Sequence, residues 1–477
     1  MRFLAPASTK FLMQVGTKFL PFADAATPDL PLSRLLRLSL FQISVGMATA
    51  LLVGTLNRVM IVELGVSATI VSIMVAIPLL FAPFRALIGF KSDRHRSALG
   101  WRRVPYIWFG TMVQFAGLSI MPFALLLLSD AADVPVWFAT GAGALAFLLV
   151  GAGLQVTQTA GLALATDLAP EETRPRVVAL MYVTLLAGMM LSSIAFYFAL
   201  TDFSPTRLIQ VIQSAAMVTI VLNIIALWKQ EPRDRARAAA AAEPTIPFRE
   251  AWATFTATTH AKRFLLAVFL GTLAFNMQDI VLEPYGGEVL GLPVSATTFL
   301  TALLAAGALG AFGLAAWTLT RGMDPYRLAA YGVALGLPGF AMVLIAAPVE
   351  SPFLFRVGAF IIGFSGGLFS VGTLTAAMGL DSGRNGLALG AWGAVQATGA
   401  GLAMIIGGGL QEFIAALSAR GVLGKAFEGA APSYGVVYNL EILLLLAALI
   451  VIGPLARHWR APALNSSRKF GLGELPG

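Results

Sequence analysis

Cysteine is absent from the 477 residues, histidine occurs three times, and only 12% of the chain is charged. The first absence excludes disulfides, thiol nucleophiles and thiolate metal sites. His95, His260 and His458 all fall in polar loops or tails, so no apolar run carries the commonest metal ligand. The shortage of charge matters most. A chain that is 58% hydrophobic, with a mean hydropathy of +0.81, has too few ionic groups to cover a soluble core of its size. Also missing are a phosphate-binding glycine loop followed by Lys and Ser or Thr, a nucleophile with its base and orienter, a cleavable signal peptide, and the short alternating segments of a β-barrel. ATP-driven pumping and catalysis are therefore not expected.

What the chain has instead is apolar runs of about 20 residues or more, the length that crosses a hydrocarbon core of roughly 30 Å as a helix. Twelve are predicted, at 38–62, 67–90, 104–128, 135–160, 176–200, 206–228, 264–288, 295–319, 327–347, 352–378, 386–416 and 434–456. The expected fold is an all-α membrane protein of twelve transmembrane helices in two six-helix halves.

The net charge of +8 does not point to nucleic acid, because most of the 32 Lys and Arg lie in the N-terminal arm, every second loop and the C-terminal tail. The positive-inside rule then places both termini in the cytoplasm. The long polar interruption divides the chain into an arm (1–34), a first half (35–229), a linker (230–262), a second half (263–456) and a tail (457–477). In the arm, Lys10, Gln14 and Lys18 share a helical stripe beside Phe11, Val15 and Phe19, suited to an interfacial helix or a flexible arm. "VELGVSAT" at 62–69 is echoed by "EVLGLPVSAT" at 288–297, each after the first helix of its half, as in transporters built from repeats.

The stretch "NMQDIVLEPYGGEVLG", 276–291, places two carboxylates inside a predicted span, where charge is expensive and usually faces protein or a cavity. On a helix, Asn276, Asp279 and Glu283 share one face, while Gln278 points elsewhere. Pro284, Gly286 and Gly287 are then expected to break the helix. Arg58 and Arg356 are the bases at the same depth, and pairing with either would lower the cost of the carboxylates. Glu441, at the start of the last helix, could join them. Two readings stay open: an ion-pair clamp between the halves, or a group that carries a proton or contacts a ligand.

Small residues cluster in two spans, as Gly363 and Gly367, then Gly386 and Gly390, and Gly393, Ala397 and Gly401, with Trp392 and Gln396 beside them. Such stripes serve close helix packing or a groove for a flat ligand. The loop "RALIGFKSDRHRSALGWRRVPYIW", 85–108, carries Arg85, Gly89, Asp93, Arg94, Arg102 and Arg103. It loosely resembles the cytoplasmic loop motif of the major facilitator superfamily, in which an acid and a base tie neighbouring helix ends. "RGMD", 321–324, stands at the equivalent place in the second half.

Together, "QDIVLEPYGG" (278–287), the 85–108 loop, "RVGAFIIGFSGGLF" (356–369) and "GAWGAVQATGAGLA" (390–403) resemble the PucC family, a branch of the major facilitator superfamily linked to bacteriochlorophyll delivery. The resemblance implies an assembly factor for a bacterial light-harvesting antenna, in the inner or intracytoplasmic photosynthetic membrane. Implied partners are antenna polypeptides, bacteriochlorophyll and its synthesis enzymes. The run 18–47 is similar to the LhaA-type branch, which implies the core antenna LH1 rather than the peripheral LH2. Any bacteriochlorophyll cargo would be held without histidine, through amide, carboxylate, water or backbone oxygen, or by stacking on Phe and Trp. The alternative is a proton-coupled exporter of a solute or pigment, with Asp279 or Glu283 as the proton carrier.

Overall fold

The computed structural model describes residues 25–27, 30–80, 101–129, 134–170, 173–231, 259–379 and 385–458. The arm to residue 24, the loop holding Arg85, Gly89, Asp93, Arg94 and His95, most of the linker and the tail from 459 lie outside the described residues.

Twelve long helices run through the described chain: α1 Leu32–Glu63, α2 Ala68–Leu80, α3 Val104–Leu128, α4 Val136–Leu168, α5 Arg174–Ala199, α6 Pro205–Leu227, α7 Thr259–Glu288, α8 Val294–Leu319, α9 Pro325–Ala346, α10 Pro352–Gly379, α11 Asn385–Ala419 and α12 Ala431–His458. Eleven are long and apolar enough to span a bilayer; α2, described over a shorter length, is apolar too. Most ends fall within a few residues of those expected. Exceptions are α4, which continues to Leu168, and α1 and α7, which begin at Leu32 and Thr259. The bundle therefore has a terminal face, where α1 starts and α12 ends, and a distal face opposite it.

Helix ends are fixed by groups the sequence can supply locally or from a neighbour. Ser204 caps α6 by accepting the Arg207 amide at 3.2 Å, and Asp324 caps α9 by accepting the Tyr326 amide at 2.9 Å. The start of α3 is held from a distance. Glu231, just past α6, accepts the backbone amides of Arg102 at 2.7 Å and Val104 at 2.9 Å, a carboxylate on a helix N-terminus. Arg103 pairs with Asp167 of α4 at 3.0 Å, and the Arg102 guanidinium stands 3.8 Å from the same carboxylate.

Within each half, glycines let backbones approach. A Cβ on Gly363 would collide with the Leu304 backbone of α8, and one on Gly46 would strike Leu185 and Met189 of α5. The halves meet along α2 against α11 and α5 against α8, and α1 reaches across to α7 and α8.

Helix α1 changes its winding as it nears the distal face. It is α-helical to Thr49, then π-helical over Ala50–Leu56 and Val59–Glu63. Such turns are rare and frequent at functional sites.

A polar seam between the halves

The π-helical segment of α1 lies against α7, and the two carry a buried polar seam. Glu283 is 3% exposed. Its Oε1 accepts the Thr301 hydroxyl of α8 at 2.7 Å, and its Oε2 has no hydrogen-bond partner among the described residues. Gly54 of α1 makes room for this pair, since a Cβ there would stand 2.5 Å from Glu283 Oε1. Beside it, Thr55 and Thr298 join hydroxyls across the halves at 3.2 Å.

The expected helix break at 284–287 does not occur, because α7 runs unbroken through Pro284 to Glu288. Proline lacks the amide that would bond the carbonyl four residues earlier, that of Ile280. Asn57 of α1 supplies the missing donor. Its Nδ2 donates to the Ile280 carbonyl at 3.0 Å and to the Asp279 carbonyl at 3.2 Å. One side chain of the first half thus repairs a defect in the second.

Arg58 does not pair with Asp279 or Glu283. Its guanidinium forms an ion pair with Glu63 and donates to the Leu292 carbonyl at 3.1 Å, lying over Gly287, whose Cβ would stand 3.0 Å from Nε. The physical reason is the winding of α1. Residues five apart stand nearly opposite one another on an α-helix, whereas π turns close from i to i+5 and bring them to one side. Arg356 is exposed in the first turns of α10 and has no ion-pair partner among the described residues. The expected clamp of Asp279 and Glu283 on these arginines is therefore corrected to an Asn57, Thr301 and Gly54 contact.

Asn276 and Asp279 are half-buried, and Asn276 bonds the Thr272 carbonyl of its own helix at 2.8 Å. Gln278, expected to point elsewhere, is buried, and its Nε2 donates to the Asp279 carboxylate. Glu441 of α12 is wholly buried, and neither carboxylate oxygen reaches hydrogen-bond geometry, although the Gln278 backbone approaches it. Tyr438, one turn earlier, also leaves its hydroxyl unpaired and packs edge-on to Tyr285.

A further link across the halves was hidden in the sequence. Glu412 of α11 accepts the Ser67 hydroxyl at 2.5 Å and the Thr69 amide at 2.8 Å, placing a carboxylate on the N-terminus of α2. Close by, a Cβ on Gly408 would meet Ser72 at 2.7 Å. These contacts draw α1 and α2 onto α7, α8 and α11 at the distal face.

The small-residue stripes separate by role. Gly363 and Gly367 pack α10 on α8, Gly401 is buried, and Gly390 and Gly393 face open space. Gly386 lies in the first turn of α11. Trp392 donates from Nε1 to Thr373 of α10 at 3.2 Å, and Gln396 is half-buried. His260 lies in the first turn of α7 rather than in a loop, edge-on to Tyr326, and His458 is the last residue of α12. Among the described residues, no three His, Asp or Glu side chains are grouped as a metal site.

The architecture matches solved membrane transporters at sequence identities that speak to fold alone. A bacterial homologue of the human lysosomal transporter Spinster, inward-facing and unoccupied, superposes with a TM-score of 0.67 at 15% identity, over 89% of this chain and 96% of that one. The nucleoside transporter NupG gives 0.62 at 11%, over 90% and 100%. The fold is that of the major facilitator superfamily.

Sequence relatives are closer. Protein PucC of Rhodovulum sulfidophilum is 56% identical over 420 residues, covering 87% of this chain and 92% of that protein. A Rhodobacter capsulatus protein described as an uncharacterized protein in the puhA-bchM intergenic region is 50% identical over 475 residues, covering 98% and 99%. The bacteriochlorophyll synthase 44.5 kDa chain of the same species is 27% identical, over 90% and 96%. The sequence profile described as PUCC protein matches residues 55–459, a span that takes in the π-helical end of α1, the α7 carboxylates and Glu441, and the chain belongs to that family.

Proposed function

We propose that this chain is an assembly factor for a bacterial light-harvesting antenna, shepherding antenna polypeptides or delivering bacteriochlorophyll within the membrane. The observation that carries the reading is the identity of 56% to a PucC protein over most of both chains. The role is non-enzymatic, and the terminal face is cytoplasmic, in accord with its basic loops. The core antenna LH1 is favoured over LH2. A relative that matches over 98% of this chain, at 50% identity, has a description that does not carry the PucC name.

The partner is the transmembrane helix of a nascent antenna polypeptide, held on a lipid-facing surface. Pigment is held without histidine, because His260 and His458 sit at helix ends of the terminal face. A clean deletion should lower LH1 abundance with LH2 less affected, read from the absorption of isolated membranes. Normal levels of both antennae would overturn the proposal, and selective loss of LH2 would overturn the subtype alone. Replacing the three histidines together should leave co-purifying bacteriochlorophyll unchanged.

A second reading, proton-coupled export, is favoured by the buried, unpaired carboxylate of Glu441 beside the Asp279 segment. Site-specific crosslinks to an antenna polypeptide decide between the two. Crosslinks on one outer face support shepherding, and crosslinks confined to the space between the halves support transport.

A further inference from the structure

Helix α6 lies at the edge of the first half and has two unlike sides. Leu208, Ile212, Ala215 and Asn223 are buried against α1 and α3, where Asn223 accepts from Ser44 at 2.9 Å and donates to Thr111 at 2.8 Å. On the other side Gln210, Ser214, Met217, Val221, Ile224 and Trp228 are exposed. They follow one another at steps of four and three residues, so they form a single outward stripe. None of them takes part in the polar seam.

Two groups on this stripe are polar, and both lie at hydrocarbon depth. Arg207, exposed and ion-paired with Asp202 at 3.3 Å, marks the distal boundary, and Trp228 marks the other. The helical rise between them is roughly 32 Å, close to the thickness of a hydrocarbon core. On that scale Gln210 lies roughly 5 Å and Ser214 roughly 11 Å inside the distal boundary. Neither side chain has a hydrogen-bond partner among the described residues. Elsewhere in the spans Thr140, Thr159, Thr184 and the exposed Asn439 of α12 each return a donor to the carbonyl four residues earlier. Ser214 does not.

Lipid tails cover the apolar part of the stripe and leave its amide and hydroxyl bare. A transmembrane helix, with its own backbone satisfied internally, brings a polar side chain to that depth. Val221 and Ile224 are stiff at χ1, so packing a helix on them costs little side-chain entropy, and Ser214 is small enough for close approach. We propose, resting on the assembly reading above, that the outward stripe of α6 is the surface on which the antenna transmembrane helix docks. Gln210 and Ser214 bond a polar side chain that this helix carries one to two turns below its distal end.

The test places a photo-crosslinking residue at Met217 or Val221 of the full chain, in cells that make the antenna polypeptides. Phe123 of α3, Leu335 of α9 and Leu443 of α12, also exposed, serve as comparison positions. Antenna adducts should form at the two α6 positions and be at least about fivefold weaker at the other three. Gln210→Leu should lower the α6 adducts about three- to tenfold, the worth of one interhelical hydrogen bond in a membrane. If that variant does not fold, the comparison of positions carries the test alone. Antenna adducts on another face overturn the α6 assignment and leave the assembly reading standing. Adducts of Met217 or Val221 to a second copy of this chain, or to lipid alone, overturn the assigned partner. An adduct yield unchanged by Gln210→Leu overturns the role of the amide. The assembly reading itself falls on a different result, normal antennae in the deletion strain.

Discussion

Replacing Asn57 with leucine removes the donor that α7 borrows from α1, and the cost can be worked from the geometry. Two backbone carbonyls, of Asp279 and Ile280, accept from Asn57 Nδ2 at 3.2 and 3.0 Å, and the second has no amide of its own because residue 284 is proline. A buried polar group left unpaired costs about 1–3 kcal/mol in soluble proteins, whereas interhelical hydrogen bonds within membranes average about 0.6 and reach about 1.7 kcal/mol. The upper part of the membrane range applies, because Pro284 leaves the Ile280 carbonyl no intrahelical alternative. Part of the loss is returned, since Asn57 Oδ1 is itself buried without a partner. The expected destabilisation is about 1 to 1.5 kcal/mol.

The control is Pro284→Ala, which restores an amide able to bond the Ile280 carbonyl within the helix. In that background Asn57→Leu should cost less than about 0.5 kcal/mol, giving a double-mutant coupling of roughly 1 kcal/mol. Unfolding of the purified protein in mixed micelles with increasing dodecyl sulfate measures all four corners of the cycle. Additive effects, with Asn57→Leu equally costly in both backgrounds, would refute the claim that Asn57 compensates for the proline.

Glu412→Gln should weaken the distal contact by about 0.5 to 1 kcal/mol, by taking a charge from the N-terminus of α2; faster labelling of a cysteine replacing Ser72, which is wholly buried against Gly408, would report the opening. Gly363→Ala should destabilise by about 1–3 kcal/mol because its Cβ meets the Leu304 backbone, while Gly393→Ala, facing open space, should change thermal stability little. Burial holds the Asp324 carboxyl above the ordinary carboxylate range, against the Tyr326 amide and Arg327, which pull it down. A raised carboxyl contributes stability that is full below its unfolded value and lost as pH rises through the folded one. The stability advantage of the unaltered chain over Asp324→Asn should therefore be larger near pH 4 than near pH 7, measured by thermal melts at each pH.

The helices were legible because a membrane crossing has a fixed length and must be apolar throughout, which is why 104–128 coincides with α3. Helix α4 was read short for the same reason. The span 135–160 already fills a crossing, and the polar Thr166 and Asp167 in the turns beyond it read as loop, yet Thr166 returns its hydroxyl to the Ala163 carbonyl at 2.9 Å and Asp167 pairs with Arg103 at 3.0 Å. Hydropathy counts a polar atom as a cost whether or not the fold has given it a partner. The charged motif residues were found in sequence, and their partners were not. Asp167, Glu231 and Glu412 lie 64, 128 and 343 residues from the groups they bind. No local period connects such positions.

The carboxylate stretch shows where the limit lies. Its charges, its proline and its depth set it apart in the sequence, and the inference that Pro284 breaks the helix followed from α7 considered alone. Helix α7 is not alone: the carbonyl freed by Pro284 faces α1, and Asn57 reaches it because the preceding turns of α1 are π-wound. The same winding aligns Arg58 with Glu63 and leaves Glu283 to a hydroxyl instead of a guanidinium. Two separate expectations, the helix break and the arginine clamp, thus fail where pairing across helices or a change of winding decides. Both are tertiary facts, and both concentrate at the seam where the two halves are held together.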